Sequence, residues 1–256
     1  MSPNCIVTSQ DEFENQATEL AQHLALPYVK SHQTHIGFCL ELTANGLVLR
    51  HTERGKERPL KVDFLAGANY HRYRFGGGKH QHIARAVGLK HGLNPIVLDI
   101  TAGLGRDGFI LATLGCQVTL IERNPIVWAL VDDAIKRANS TPWFHALKLK
   151  LFNNDAVEYL SQVNLQQHPP DVIYCDPMFP ENKNSALVKK EMRILRQLVG
   201  DDLDTEDALE LSLQVASKRV VVKRHIHAPF LNTRTPSLQI KGKSSRYDVY
   251  LCSPRK

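Results

Sequence analysis

The sequence has no apolar run longer than a strand, which excludes a membrane-spanning helix of about 20 residues. Its cysteines (Cys5, Cys39, Cys116, Cys175 and Cys252) are odd in number and never form a Cys-x-x-Cys pair. That pattern argues against a structural zinc site and for a reducing, cytoplasmic compartment. The histidines lack metal-ligand spacing, so no metal is expected. The start, Met1-Ser2-Pro3-Asn4-Cys5, lacks a charged segment followed by a long apolar one, so no secretory signal is expected. Acidic residues are missing from two long stretches. No Asp or Glu occurs over 64–98, which holds Arg72, Arg74, Lys79, Arg85 and Lys90. None occurs over 211–247, which holds Lys218, Arg219, Lys223, Arg224, Arg234, Lys241, Lys243 and Arg246. In a chain of net charge +6, two acid-free basic stretches match the footprint of a nucleic-acid partner, although solvated surface lysines and arginines would give the same pattern.

What is present fits one large domain with an extension, in 256 residues. Residues 1–62 read as a small α+β extension. It has a helix over 12–24 and strands over 35–41 and 47–51, joined through Asn45-Gly46, a strong hairpin-turn signal. Nothing in it has catalytic spacing, and it is expected to pack on the main domain or widen its binding face. Residues 70–80, Tyr-His-Arg-Tyr-Arg-Phe-Gly-Gly-Gly-Lys-His, interleave aromatics with basic residues and then give three glycines. The aromatic faces are expected to stack bases while Arg and Lys hold phosphates, and the three glycines to give a mobile or closely approached loop, although a surface turn with partly buried tyrosines would give the same pattern.

From residue 96 onward strands and helices alternate. Strands are expected over 96–101, 117–122, 147–153, 171–175 and 219–223. Helices are expected over 107–114, 125–139, 156–162, 185–199 and 205–216. Such alternation predicts a mostly parallel sheet with right-handed crossovers. The tail differs, because strands over 237–241 and 246–251 flank a short turn and form an antiparallel hairpin. On the helix over 185–199, Lys189, Arg193 and Arg196 share one stripe, opposite Leu187, Ile194, Leu195 and Leu198.

The chemistry concentrates where this sheet begins. Ile96-Val97-Leu98-Asp99 is followed by Gly103-x-Gly105-x-x-Gly108, a glycine turn that lets a ligand approach the backbone at a helix start. Glu122 ends the next strand, where a ribose-binding acid is expected. The glycines alone would also suit a nicotinamide enzyme. Asp99, just before them, would repel a pyrophosphate and suits a cationic ligand or a hydrogen-bond hub in the loop. Asp176-Pro177-x-Phe179 follows the fourth strand of the alternation, beside the switch point where such sheets bind ligands.

At these residues the chain resembles the class I S-adenosylmethionine-dependent methyltransferases. Thr101-Ala102-Gly103-Leu104-Gly105-Arg106-Asp107, Glu122-Arg123-Asn124-Pro125, Asp176-Pro177-Met178-Phe179-Pro180, residues 185–193 and Arg219-Val220-Val221-Val222-Lys223-Arg224 are similar to the ribosomal RNA small subunit methyltransferase J family. The resemblance covers about residues 60–252. It implies a Rossmann-like α/β domain over 63–256, with a mostly parallel seven-stranded sheet and a C-terminal antiparallel hairpin. It implies S-adenosylmethionine as cofactor and the exocyclic N2 of a guanine in the 3′-terminal hairpin loop of 16S ribosomal RNA as methyl acceptor, with naked RNA or the small ribosomal subunit as partner. Carried over by position, cofactor contacts fall on Arg106, Asp107, Glu122, Arg123, Asp155, Ala156 and Asp176, and Asp99, Gly103 and Gly105 join them from the glycine turn. Catalysis falls on Asp176, Pro177 and Phe179. The RNA contacts expected from charge and placement are Arg72, Arg74, Lys79, Lys189, Arg193, Lys223 and Arg224. Met178 stands where amino-methyltransferases commonly carry a second proline. An amino group of another RNA, of DNA or of protein remains the alternative acceptor.

Overall fold

A computed structural model describes residues 5–30, 37–52, 58–90, 93–162, 169–177, 190–199 and 205–252. Its strands are β1 (Cys5–Ser9), β2 (Phe38–Thr43), β3 (Gly46–His51), β4 (Ile96–Asp99), β5 (Gln117–Glu122), β6 (Leu149–Asn153), β7 (Val172–Cys175), β8 (Arg219–His225), β9 (Leu238–Lys241) and β10 (Ser245–Leu251). Its helices are α1 (Glu14–His23), α2 (Gly67–Phe75), α3 (His82–Ala86), α4 (Arg106–Thr113), α5 (Pro125–Ala138), α6 (Pro142–His145), α7 (Ala156–Gln162), α8 (Lys190–Val199) and α9 (Thr205–Val215). Contacts gather the described residues into two units. One holds those within 1–64, 124–145 and 182–200; the other holds those within 65–123, 146–181 and 201–256.

The second unit is built on a seven-stranded sheet of order β6-β5-β4-β7-β8-β10-β9. The five strands from β6 to β8 run parallel. β10 is antiparallel to both β8 and β9, as the helix-free tail predicts. Val220, Val221 and Val222 in β8 are fully buried, the unbroken apolar run of a parallel strand covered on both faces. On one face, Leu98, Ile100, Ile173, Cys175, Val220, Val222 and Tyr250 form a core with Leu160 of α7 and Leu209 of α9. On the other, α4 packs against β5 and α3 against β9 and β10. A side chain at Gly108 would strike Leu120 of β5, so the third glycine of the motif sets how closely α4 approaches the sheet. The strand order reverses between β4 and β7, placing the ligand crevice at their carboxyl ends.

The first unit carries a three-stranded sheet, β1-β2-β3, with β1 parallel to β2. β2 and β3 pair through the turn at Asn45-Gly46, as the Asn-Gly pair predicts. β1 has no counterpart in the sequence reading. α1 packs on β1 and α5 on β3. Asn124 caps α5, its Oδ1 accepting from the Ile126 and Val127 amides at 3.0 and 3.1 Å, and Pro125 opens the helix. At its far end, Arg137 donates to the Val62 carbonyl at 2.6 Å and to Asp133 at 2.8 Å, and lies against the hairpin turn.

The aromatic and basic residues of 70–75 stand on α2, a segment with neither Pro nor a β-branched residue. Of the three glycines expected to form a loop, Gly77 has φ +84° and Gly78 opens a short 3₁₀ turn, Gly78–His80. The five cysteines are free thiols, four of them buried.

Gly46 has φ +103°, and a side chain there would run into Arg137 and Asp133. Gly46→Ala is therefore expected to cost about 1–3 kcal/mol, from backbone strain and the clash together. Thermal melting checks it, and adding Arg137→Ala should produce a combined loss smaller than the sum of the single losses.

Candidate active site

Four neighbouring parallel strands each lead into an acid at their carboxyl ends. Asp99 ends β4, Glu122 ends β5, Asp155 follows β6 and Asp176 follows β7. Between them the chain makes its glycine turn. Gly103 and Gly105 have φ +52° and +70°, values that favour glycine, and Gly105 leads directly into α4. The Gly103 amide donates to Glu122 Oε2 at 2.8 Å, so the buried acid braces the turn. The Asp176 amide donates to Thr101 Oγ1 at 2.6 Å and ties the Asp-Pro segment to the same turn. Asp99 is 2% exposed, and its Oδ1 accepts from the Thr101 amide at 3.2 Å. Burial pushes its carboxyl well above the usual carboxylate range, against the lowering effect of that hydrogen bond.

Beside the turn lies a cluster of charges. Asp107, in the first turn of α4, accepts from Arg72 Nη1 at 2.6 Å, Tyr174 Oη at 2.7 Å and Lys223 Nζ at 2.8 Å. Lys223 Nζ also lies 2.7 Å from Asp176 Oδ2, so one ammonium joins the two acids. Burial alone would raise the Asp107 carboxyl, but Lys223 and Arg72 outweigh it and hold the group well below its ordinary value. Burial alone would lower Lys223, but Asp176 and Asp107 outweigh it and hold the ammonium above its ordinary value. Tyr174 is pushed well up by burial and by Asp107, and Tyr247 is pushed up to about 12, mainly by burial. Both phenols therefore remain protonated near neutral pH. Asp176 keeps 40% of its side chain exposed, while that of Asp107 is 11% exposed.

The residues expected at the site do not all behave alike. Pro177 is buried next to Asp176. Arg106 and Arg123 are half-buried beyond the glycine turn and beyond β5. Asp155 caps α7, its Oδ1 accepting from Val157 and Glu158, and Ala156 opens that helix half-buried. Of the residues expected to contact RNA, Arg74 and Lys79 are exposed, with the Arg74 guanidinium 6.0 Å from the Tyr70 ring. Arg72 and Lys223 instead join the Asp107 cluster. Arg224 is 5% exposed and donates to the Pro229 carbonyl at 2.8 Å. Phe179 and Lys189 lie outside the described residues, and of Arg193 only the helical backbone is described. Thr101 and Tyr174 were not anticipated. A tyrosine two residues before Asp176 in a buried strand was the available signal for the second.

The turn fits a sulfonium cofactor. Among the described residues, a side chain at Gly103 would have only the Thr101 carbonyl near it, at 4.0 Å, so the backbone there is open to close approach. Glu122, Asp155 and Asp176, at three of these strand ends, suit a positively charged ligand with ribose hydroxyls. The family model for SAM-dependent methyltransferases matches residues 19–252. The chain is 50% identical to the ribosomal RNA small subunit methyltransferase J of Coxiella burnetii (strain Dugway 5J108-111), over 94% of this chain and 93% of that protein. It is 46% identical to the protein of that name from Tolumonas auensis, over 99% of this chain and 100% of that protein. It is also similar to the crystal structure of a SAM-dependent methyltransferase from Neisseria gonorrhoeae. There the TM-score is 0.76 and the identity 33%, over 98% of this chain and 97% of that one. The family-model match runs through the glycine turn and the Asp-Pro segment alike. Together the matches exclude the nicotinamide alternative: the chain belongs to the ribosomal RNA small subunit methyltransferase J family of SAM-dependent methyltransferases.

Proposed function

We propose that this chain methylates the exocyclic N2 of a guanosine in the 3′-terminal hairpin loop region of 16S ribosomal RNA. The names of the Coxiella and Tolumonas relatives support small-subunit ribosomal RNA as the substrate. The choice of guanine N2 follows the family resemblance. The observation that carries the reading is the position of Asp176. It stands at the carboxyl end of β7, hydrogen-bonded to the glycine turn through its amide and to Lys223 through its carboxylate.

When bound, S-adenosylmethionine would supply an electrophilic methyl carbon to the acceptor nitrogen, with the carbon–sulfur bond broken in line, S-adenosylhomocysteine as leaving group and one amino proton lost to solvent. Gly103, Gly105, Arg106, Asp107, Glu122, Arg123, Asp155 and Ala156 surround the place for it, with Glu122 suited to the ribose hydroxyls and Asp155 to the adenine amino group. Asp107 and Asp99 contribute chiefly by shaping the turn, since the carboxylate of the first is engaged by three donors. The chain's main task is alignment of the acceptor nitrogen. Guanine N2 is a weak nucleophile because its lone pair is delocalised into the ring. Acceptors placed around the amino group orient it and stabilise the positive charge that develops there. The Asp176 carboxylate and the Pro177 carbonyl have that role, and Phe179 stacks on the base turned out toward them. Lys223 is a positioning residue that fixes the Asp176 carboxylate in one orientation. RNA phosphates then meet Arg74, Lys79, Lys189 and Arg193.

Asp176→Ala should lower kcat by about 10²–10³-fold with little change in melting temperature. Transfer of labelled methyl groups to undermethylated small-subunit RNA measures it, and full activity would remove Asp176 from the mechanism. Glu122→Ala should weaken cofactor binding about ten-fold or more in titration calorimetry, because a charged acceptor is lost. The third expectation concerns pH. Asp107 titrates below its ordinary 3.8 and Lys223 above its ordinary 10.5. The stability contributed by Asp107 is present above 3.8 and lost as pH falls through its folded value. That contributed by Lys223 is present below 10.5 and lost as pH rises through its folded value. The cluster is therefore intact between about pH 5 and 9. Lys223→Met removes the charge that lowers Asp107, so the acid limb of the rate profile should move to higher pH and kcat should fall more than KM rises. Lys223→Arg should restore part of both.

A further inference from the structure

We propose that a groove at the outer end of the sheet's carboxyl edge binds a second nucleotide of the substrate RNA, near the target in the same strand, with its base stacked on Phe230 and its phosphate held by Lys241 and His227. This rests on the function proposed above and adds a subsite to it. The groove has a volume of about 520 Å³, within the range of sites that take small ligands. Its walls include His227, Pro229, Phe230, Gln239, Lys241 and Arg246.

The loop that forms it is held rigidly. Arg246 in β10 is 3% exposed and donates to the carbonyls of His225, Ile226 and Pro229 at 3.1, 2.8 and 3.3 Å. Asp248, fully buried, accepts from Arg246 Nε at 2.9 Å and Nη2 at 3.0 Å, and so aims the guanidinium. The same guanidinium lies 5.4 Å from the Phe230 ring centroid, a cation–π contact that backs the aromatic ring. Phe230 remains 38% exposed, which suits it to a stacked base. Beyond it the chain passes through Asn232 and Thr233, with φ +49° and +52°. A β-branched residue rarely adopts that conformation, and strain of this kind gathers at ligand-binding segments.

Charge favours an anionic strand. Two acids that bond to the segments around the groove are already paired, Asp248 with Arg246 and Glu210 with Arg234. His227 and Lys241 are exposed, and no acid occurs over 211–247. Position favours the substrate RNA. Lys241 pairs with Arg246 across β9 and β10, and Arg246 with Arg224 across β10 and β8, so the groove opens at the edge where β7 and β8 end. With strands about 4.8 Å apart, it lies on the order of 10–14 Å from Asp176. Alternation along β8 and β10 turns Lys223 and Tyr247 toward the α4 face and Arg224 and Arg246 toward the other. A single strand crossing the edge can therefore reach both. Unstacked bases of an RNA loop are suited to such a path.

The test compares wild-type protein with Phe230→Ala, Phe230→Trp and Lys241→Ala, first confirming equal melting temperatures. Phe230→Ala should raise KM for the RNA about ten-fold while leaving kcat at saturation unchanged, and Phe230→Trp should restore KM. Lys241→Ala is an exposed change that leaves the fold intact, and it should reduce the slope of log affinity against log salt by about one. On RNA trimmed to the target nucleotide, wild type and Phe230→Ala should have equal KM. An unchanged KM and salt slope on full-length RNA would overturn the groove, as would an equal KM difference on trimmed RNA. If the wild-type protein methylates no RNA, the function proposed above fails instead. The groove is then judged by fluorescence anisotropy with a single-stranded oligoribonucleotide: equal binding by wild type and both alanine variants overturns it, and weaker binding by the variants supports it.

Discussion

The ammonium of Lys223, between Asp107 and Asp176, joins parts of the chain that would otherwise be independent. Asp107 belongs to the helix after the glycine turn, Asp176 to the segment after β7, and Lys223 to β8. Arg72 adds α2 to the same group, and Tyr174 adds the interior of the sheet. The Asp107 carboxylate, largely shielded from water, is costly to bury, and it is tolerated because geometry and hydrogen bonds compensate. Here Asp107 takes three donors and Lys223 has two carboxylates within 2.8 Å. Removing any member leaves its partners poorly solvated, so the cluster acts as one unit. The cofactor side and the acceptor side of the site are consequently held in a fixed relation by electrostatics as well as by the sheet.

The same economy runs through the acids at the strand ends. Glu122 braces Gly103, and Asp155 caps α7. A carboxylate that shapes the loop next to a ligand needs little further ordering when the ligand arrives. Thr101 extends this, because its hydroxyl accepts from the Asp176 amide while its own amide donates to Asp99. A valine at that position would match its shape and leave the Asp176 amide without its acceptor.

Much of this fold was legible in the residues because burial on both faces of a parallel strand forces unbroken apolar runs, as in Val220-Val221-Val222. Asn45-Gly46, Pro125 and the glycines at 103 and 105 are similarly local, since each answers a backbone requirement of its own position. What was not legible depends on direction. Arg72, Lys223 and Arg224 count as basic residues in any sum of charge, but strand alternation and helix phase turn them inward to Asp107, Asp176 and the Pro229 carbonyl. Tyr174 was hidden in an apolar strand, and its hydroxyl matters only because α4 brings Asp107 to it. α2 was obscured because its aromatic and basic side chains carry no periodic apolar face.

The outermost strands of the large sheet, β6 and β9, leave backbone groups along their outer edges. Each presents an exposed lysine, Lys150 in β6 and Lys241 in β9. A foreign strand that added itself to either edge would have to crowd and desolvate that ammonium, which disfavours growth into a continuous sheet of many chains. Lys241 thus answers to two demands: the positive charge placed to receive a phosphate is also one that discourages copies of the protein from polymerising through their sheets.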